Sequence, residues 1–469
     1  MSNEIDVYEE RGRLFFSKDE NQSRDTVNPQ GVACVIREHY SIRTLLDTEE
    51  MFYYEDGIYV PGAEAFIKHL CETLLGEKAT NHIVNEVIGH IKRVTYFDRS
   101  FAQDGTNSIC LLNGIINIET GKWRPHSPDE VFFTRLNAVY DSDAECPEID
   151  NFIEEILAKD DRALAFELIA YTLIPGYPIQ KAAGLIGGGS NGKSTLLSLI
   201  KSFLGPNNVS AVALQDLDND RFASASLYRK RANICADLPS KDLHRTSMFK
   251  ALTGGDRIRA QFKNQNAFEF ENQAKLLFSM NQVPLSQDDS DAFYRRWVLI
   301  DFPNKFEGKN LDMNKLEKIT TPGERSGLLN KCLGIVPQIL KRQGFSNAGS
   351  IEATREKYLK LSDSVYCFLD DQCLIKAGFY DSEKGTIEEP GIIRKRDLFE
   401  KYKDWCMAHT VTAIRDKGFN KRLLEFAPSI SEVRIKDSGQ SVRAWRGIAL
   451  KDADEIQEDR AQKTLRGFQ

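Results

Sequence analysis

The run Gly187-Gly188-Gly189-Ser190-Asn191-Gly192-Lys193-Ser194-Thr195 constrains this chain more than any other stretch. It satisfies G-x-x-x-x-G-K-[ST] with Gly187, Gly192, Lys193 and Ser194 at the fixed positions. The apolar segment Ala182 to Ile186 before it reads as a strand. Leu196, Leu197, Leu199, Ile200, Phe203 and Leu204 after it read as a buried helix, ended by Gly205-Pro206. Strand, glycine loop and helix in this order make a phosphate cradle. Glycines let backbone N–H groups close around a polyphosphate, and the helix start adds its partial positive charge. Lys193 is expected to reach the β- and γ-phosphates and Ser194 to hold Mg²⁺.

Two later strands point to the same chemistry. Ala232 to Ala236 reads as a strand ending in Asp237, where a carboxylate could orient Mg²⁺ or an attacking water. Lys275 to Met280 reads as another, ending in Asn281, a polar tip suited to holding a lytic water or sensing a γ-phosphate. Between them, Gly254 to Phe270 has two alternating arms around Lys263-Asn264-Gln265-Asn266, the pattern of a β-hairpin. Lys263 at its tip, with Arg257 and Arg259 on its first arm, suits a nucleic-acid backbone; a solvated turn is the plainer reading. Arg295-Arg296 then precedes a final apolar strand, and arginine donated by a neighbouring subunit stabilises transition-state charge in many nucleotide hydrolases.

The rest of the chain frames this core. At 469 residues there is room for about three domains, and 41% hydrophobic with 28% charged residues is an ordinary globular balance. No apolar run approaches a membrane span, the N-terminus is acidic and polar, and nine scattered cysteines form no C-x-x-C pair. These features predict a cytoplasmic chain, without a membrane partner, holding reduced thiols. A net charge of −7 requires any nucleic-acid contact to come from a local basic surface. Residues 1–30 offer little to bury and are expected to be poorly ordered. Residues 31–149 read as a mixed α+β domain, with hairpin turns at Asp56-Gly57, Asn113-Gly114 and Thr120-Gly121. Asp141 and Asp143 read as a turn, because no nearby acid or histidine completes a two-metal site. His69, His82, His90, His126 and His244 lack metal-ligand spacing and read as ordinary structure.

The ordered set of loop, Asp237, Lys250 with Gly254-Gly255-Asp256, Lys263 hairpin, Asn281 and Arg295-Arg296-Trp297 closely resembles superfamily 3 helicases. The likeness is to the phage- and plasmid-type primase–helicase branch that includes the poxvirus-type ATPases. Leu111-Leu112-Asn113-Gly114, His126-Ser127-Pro128 and Tyr140-Asp141 through Cys146-Pro147 resemble the domain that usually precedes this ATPase. The resemblance implies an α/β, AAA+-like P-loop core over residues 150–345, assembled as a homo-oligomeric ring, usually a hexamer. ATP with Mg²⁺ would lie between subunits and single-stranded DNA in the channel. Lys193 and Ser194 would be the Walker A pair and Asp237 the Walker B acid. Asn281 would be the sensor and Lys263 the channel lysine. One of Arg295 and Arg296 would be the arginine finger, the second being the better match. The family often has adjacent acids at Walker B, whereas Ala236 and Leu238 flank Asp237 here; Asp237 serves alone or with Asp242, and the general base stays unassigned.

Residues 346–450 read as a helical linker, Ile351 to Lys376, a loop from Gly378 to Pro390, and then helix, helix and two strands turned at Ser438-Gly439. That order suits a winged helix. Residues 391–450 carry 13 Lys/Arg against 7 Asp/Glu in an acidic chain. Duplex DNA would meet Lys417, Lys421 and Arg422 on the second helix and Arg443 and Arg446 on the wing; a protein-docking module is the alternative. Residues 451–469 read as a polar tail. The reading that follows is an ATP hydrolase, a DNA helicase or replication initiator of a virus or mobile element, with a primase or polymerase as a further partner. A DNA-binding AAA+ switch or loader that remodels partners without unwinding is the rival.

Overall fold

The structure, a computed structural model, describes residues 5, 7–16, 26–239, 241–264, 266–308, 312–375, 379–381, 386–388, 391–409, 411–437, 440–452 and 455–456. The chain is a mixed α/β protein in two compact units. The first comprises Met1–Pro239, Arg245–Asn281 and Ser290–Gly349; the second comprises Ser240–His244, Gln282–Asp289 and Ser350–Gln469.

The first unit begins with a four-stranded sheet in the order Ile58–Pro61, Met51–Glu55, Ile42–Leu45, Tyr96–Phe97. Its hairpin turns at Asp56 (φ 47°) and Gly57 (φ 93°), the left-handed pair that a tight two-residue loop requires. Helices Pro29–His39 and Asn81–Val94 bury Val32, Val35, Ile36, Val87 and Ile91 in one core. Within the stretch expected to be poorly ordered, Val7–Leu14 is helical and Leu14 is fully buried in this core. The turns expected at Asn113-Gly114 and Thr120-Gly121 join the strands Ser108–Cys110, Ile115–Asn117 and Trp123–Arg124.

Helices Pro147–Ile156 and Lys159–Tyr171 lead into a five-stranded sheet, every pairing of which is parallel. Its order is Val209–Ser210, Ala232–Cys235, Lys275–Met280, Ala182–Ile186, Trp297–Asp301. Ala182–Ile186 and Lys275–Met280 are buried at every residue, as strands covered on both faces must be. Helix Pro322–Arg342 starts on a Thr321 N-cap, whose hydroxyl accepts from the Glu324 N–H. The Glu324 carboxylate in turn accepts from the N–H groups of Glu148 and Ile149, at the start of helix Pro147–Ile156.

In the second unit the single helix expected over Ile351 to Lys376 is two, Ile351–Ser362 and Ser364–Gln372, followed by the strand Cys373–Ile375. Asp363 makes the break: it is extended, and its carboxylate accepts from the N–H groups of Val365 and Tyr366. The stretch expected to loop contains an antiparallel pair, Phe379–Asp381 with Thr386–Glu388. Helices Lys395–Ala408 and Asp416–Phe426 then pack on an antiparallel sheet ordered Ile392–Arg394, Gln440–Arg446, Ser431–Asp437. Leu398, Tyr402, Phe419, Leu423 and Trp445 fill the space between. The turn expected at Ser438-Gly439 and most of the expected tail lie outside the described residues.

Candidate nucleotide site and nucleic-acid surfaces

The strands Ala182–Ile186, Lys275–Met280 and Ala232–Cys235 are consecutive neighbours and parallel, so their C-terminal tips open on one edge, where ligands bind in open α/β sheets. The glycine loop leaves the first tip, Asn281 follows the second, and Asp237 lies just past the third. A cavity of about 1020 Å³ at this edge is lined by Gly189, Ser190, Asn191, Gly192, Lys193, Ser194 and Thr195 together with Asp237 and Asn281. Gly187 and Gly188 do not line it. Gly187 has a packing reason to be glycine, because a Cβ there would sit 1.9 Å from the Asn191 Nδ2. Gly192 has φ 87° and would press a Cβ to 2.5 Å from Ile156. No side chain caps the helix Lys193–Leu204 that begins after it. Its first-turn N–H groups are therefore not taken by a cap and can face an anion.

Lys193 is 4% exposed, and its ammonium donates to the Gly187 carbonyl (2.5 Å), Asn191 Oδ1 (2.9 Å) and Asn281 Oδ1 (3.4 Å). Burial pulls its pKa below the usual lysine value, and the charge of Asp237 opposes that shift. Two tips and the loop are thus linked through one ammonium. Ser194 and Asp237 are both exposed and both line the cavity. One carboxylate and one hydroxyl suit Mg²⁺, which keeps several waters and takes its remaining ligands from substrate phosphates. Asp242 falls in the second unit, so Asp237 is the carboxylate of the two that lines this cavity.

The two arginines part company. Arg296 is 7% exposed, donating from Nε to Thr253 Oγ1 (2.9 Å) and from Nη1 to the Ala292 carbonyl (2.5 Å). It is held inside its own chain, against the expectation that the second arginine reaches a neighbour. Arg295 is exposed, with Gln180 Oε1 at 3.5 Å from its Nη2. Neither lines the cavity of its own chain. The expected hairpin is present as Arg257–Gln261 paired with Ala267–Glu271. Arg257 and Arg259 are exposed but stand in register with Glu271 and Glu269, which offsets their charge. Lys263 is exposed at the turn, beyond that pairing.

Residues 35–158 match the family described as D5 N terminal like, and residues 185–296 match a family of unknown function (DUF5906). The second match contains Lys193, Asp237, Lys263, Asn281, Arg295 and Arg296. The chain is 27% identical over 257 residues to "Putative helicase L207/L206" of Acanthamoeba polyphaga mimivirus, covering 52% of this chain and 27% of that protein. It is 26% identical over 214 residues to "Putative helicase 121R" of Invertebrate iridescent virus 3, covering 42% and 23%. The chain therefore spans about a quarter of the length of the curated relatives it matches. Among solved structures it is similar in fold to the apo NrS-1 C terminal region (305-718), with a TM-score of 0.50 at 14% identity, over 90% of this chain and 99% of that one. The A form of the apo NrS-1 C terminal region gives 0.50 at 12%, over 89% and 99%.

The segment that matches D5 N terminal like reaches the cavity through its last helix, which supplies Phe152, Glu155 and Ile156. Glu155 bridges Lys315 (2.9 Å), and its carbonyl accepts from Asn304 Nδ2 (2.7 Å). The Phe306 N–H donates to the Ser190 carbonyl (2.7 Å) and so pins the loop. Sequence reading missed this rim, and nothing in the sequence marks it, because its members come from separate segments joined only by folding.

The five C-terminal residues expected on duplex DNA are not one surface. Lys417 and Lys421 are exposed on helix Asp416–Phe426. Arg422 is turned inward: its Nε lies 3.3 Å from Asp363, whose side chain is 3% exposed, and its Nη2 donates to the Ser286 carbonyl. Arg443 and Arg446 lie on one strand an odd number of residues apart, so they point to opposite faces. Arg443 stands opposite Arg434, a like-charge pair that sequence reading passed over. Asp141 accepts from the Asp143 N–H within a turn, and the described residues hold no group of three or more His, Cys, Asp or Glu placed to share a metal ion.

Proposed function

We propose that this chain is an ATP-dependent DNA helicase of superfamily 3 type, with an AAA+-like P-loop core, serving replication of a virus or mobile element. One observation carries the reading: the loop lysine, a carboxylate and a polar strand tip converge on one cavity, with Lys193 bonded to Asn281 and under the field of Asp237. The relatives named as helicases and the D5 N terminal like match support it.

Hydrolysis follows from these residues. The loop N–H groups and Lys193 hold the β- and γ-phosphates, where charge builds in the transition state. Ser194 and Asp237 would hold Mg²⁺, which would neutralise charge on the phosphate oxygens. Asn281 Oδ1 exchanges its bond from Lys193 for one from the attacking water, and its Nδ2 donates to the γ-phosphate. Arg295 reaches the neighbouring subunit's nucleotide in a homo-oligomeric ring, a hexamer by family likeness, while Arg296 braces the strand that follows. The Lys263 hairpins track single-stranded DNA in the channel. The C-terminal helices and sheet act as a winged helix that meets duplex through Lys417, Lys421 and one face of its wing.

ATP turnover with and without DNA tests the core of this reading. The full chain should hydrolyse ATP faster with single-stranded DNA. Hydrolysis that single-stranded DNA leaves unchanged would remove the coupling a motor needs.

A further inference from the structure

A second cavity, of about 770 Å³, lies in the first unit away from the nucleotide loop. Its walls come from the N-terminal sheet, from Arg135, from the segment Tyr228-Arg229-Lys230, and from Phe262 beside the hairpin lysine. We infer that this cleft binds single-stranded nucleic acid and continues the path that begins at Lys263; the inference rests on the helicase reading.

The chemistry of the walls is aromatic and cationic together. The Arg229 guanidinium sits 3.9 Å from the Phe133 ring centre and 4.9 Å from those of Phe52 and Tyr228. Among the described residues no carboxylate lies within ion-pair distance of it. Asp104 is taken by the Phe133 and Thr134 N–H groups and Asp47 by Arg99, while Glu50, which also lines the cleft, acts on Arg229 through its charge without an ion pair. Arg229 also has φ 58°, a left-handed backbone that arginine rarely adopts, so the fold holds this cation in place against strain. Burial lowers the pKa of both Arg229 and Lys230. A cleft that lines cations with aromatic rings takes phosphates on the cations, and the exposed Phe262 ring offers a base a surface to stack on.

The cleft is continuous with the hairpin. Phe262 is 37% exposed and stacks on Phe268 at 5.5 Å. Phe268 packs edge-on against Tyr228 at 4.9 Å. A strand gripped at Lys263 therefore meets Phe262 next, then Tyr228 and the cations behind it. A free nucleotide would explain the walls but not this run of rings out to the hairpin tip.

The test is fluorescence anisotropy of labelled oligo-dT on the full chain across a KCl series. Lys230→Ala, like Lys263→Ala, should flatten the plot of log affinity against log salt by about 0.7. Phe262→Ala should weaken binding roughly tenfold with the slope unchanged, and Phe262→Tyr should restore it. Ser226→Glu, an exposed change on the cleft wall, should weaken binding several-fold with the melting temperature unchanged. If Lys263→Ala flattens the slope but Phe262→Ala, Lys230→Ala and Ser226→Glu all match wild type, the cleft is off the path and the helicase reading stands. If wild type does not bind oligo-dT, both fall.

Discussion

Lys193 is held by three acceptors in one chain, each from a different feature: the start of the loop, its middle and the Asn281 tip. Its charge is thus positioned before any phosphate arrives. Lys193→Ala should lower ATP turnover by at least about a hundredfold in a chain that still folds, since in the proposed site the charge sits where transition-state charge develops. Near-normal turnover in the folded variant would refute the assignment of this loop. The arginine pair separates in the same way. Arg296→Ala removes a buried guanidinium from Thr253 Oγ1 and the Ala292 carbonyl, and should cost about 1–3 kcal/mol of stability, read as a lower thermal midpoint. Arg295→Ala should melt like wild type, bind nucleotide and lose hydrolysis. Mixed with Lys193→Ala it should recover partial activity, because the proposed ring takes site and finger from different subunits. In rings shown to exchange subunits, no recovery would count against a shared site.

At the scale of elements, helix Asp416–Phe426 carries two kinds of cation. Arg422→Ala takes the cation away from the buried Asp363 carboxylate, which keeps its two N–H donors, and should destabilise the full chain by about 1–3 kcal/mol while affecting duplex binding chiefly through folding. Lys421→Ala should do the reverse: an unchanged melt, weaker duplex binding and a salt slope lower by about 0.9. A Lys421→Ala chain that binds duplex as wild type would take this helix off DNA. Much of the core was legible in the sequence, because glycine positions, apolar runs and a polar residue at each strand tip are local signals. The strand order was not. Nothing local says that Lys275–Met280 inserts between the loop strand and the Asp237 strand, or that a two-residue edge strand lies at Val209–Ser210. Arg295 and Arg296 look alike in sequence, and only packing distinguishes the buried one. The opposite facing of Arg443 and Arg446 was legible from strand periodicity and was passed over.

For the whole molecule, the claim is that ATP hydrolysis at the sheet edge drives a DNA strand past the Lys263 hairpin. Lys263→Ala should keep ATPase without DNA nearly unchanged and lose both DNA stimulation and unwinding. A variant that unwinds at the wild-type rate would remove the hairpin from the motor. The central measurement is strand displacement from a forked DNA with ATP. Wild type should release the labelled strand, and Lys193→Ala should not. A wild-type chain that binds the fork and hydrolyses ATP yet displaces no strand would contradict the helicase account.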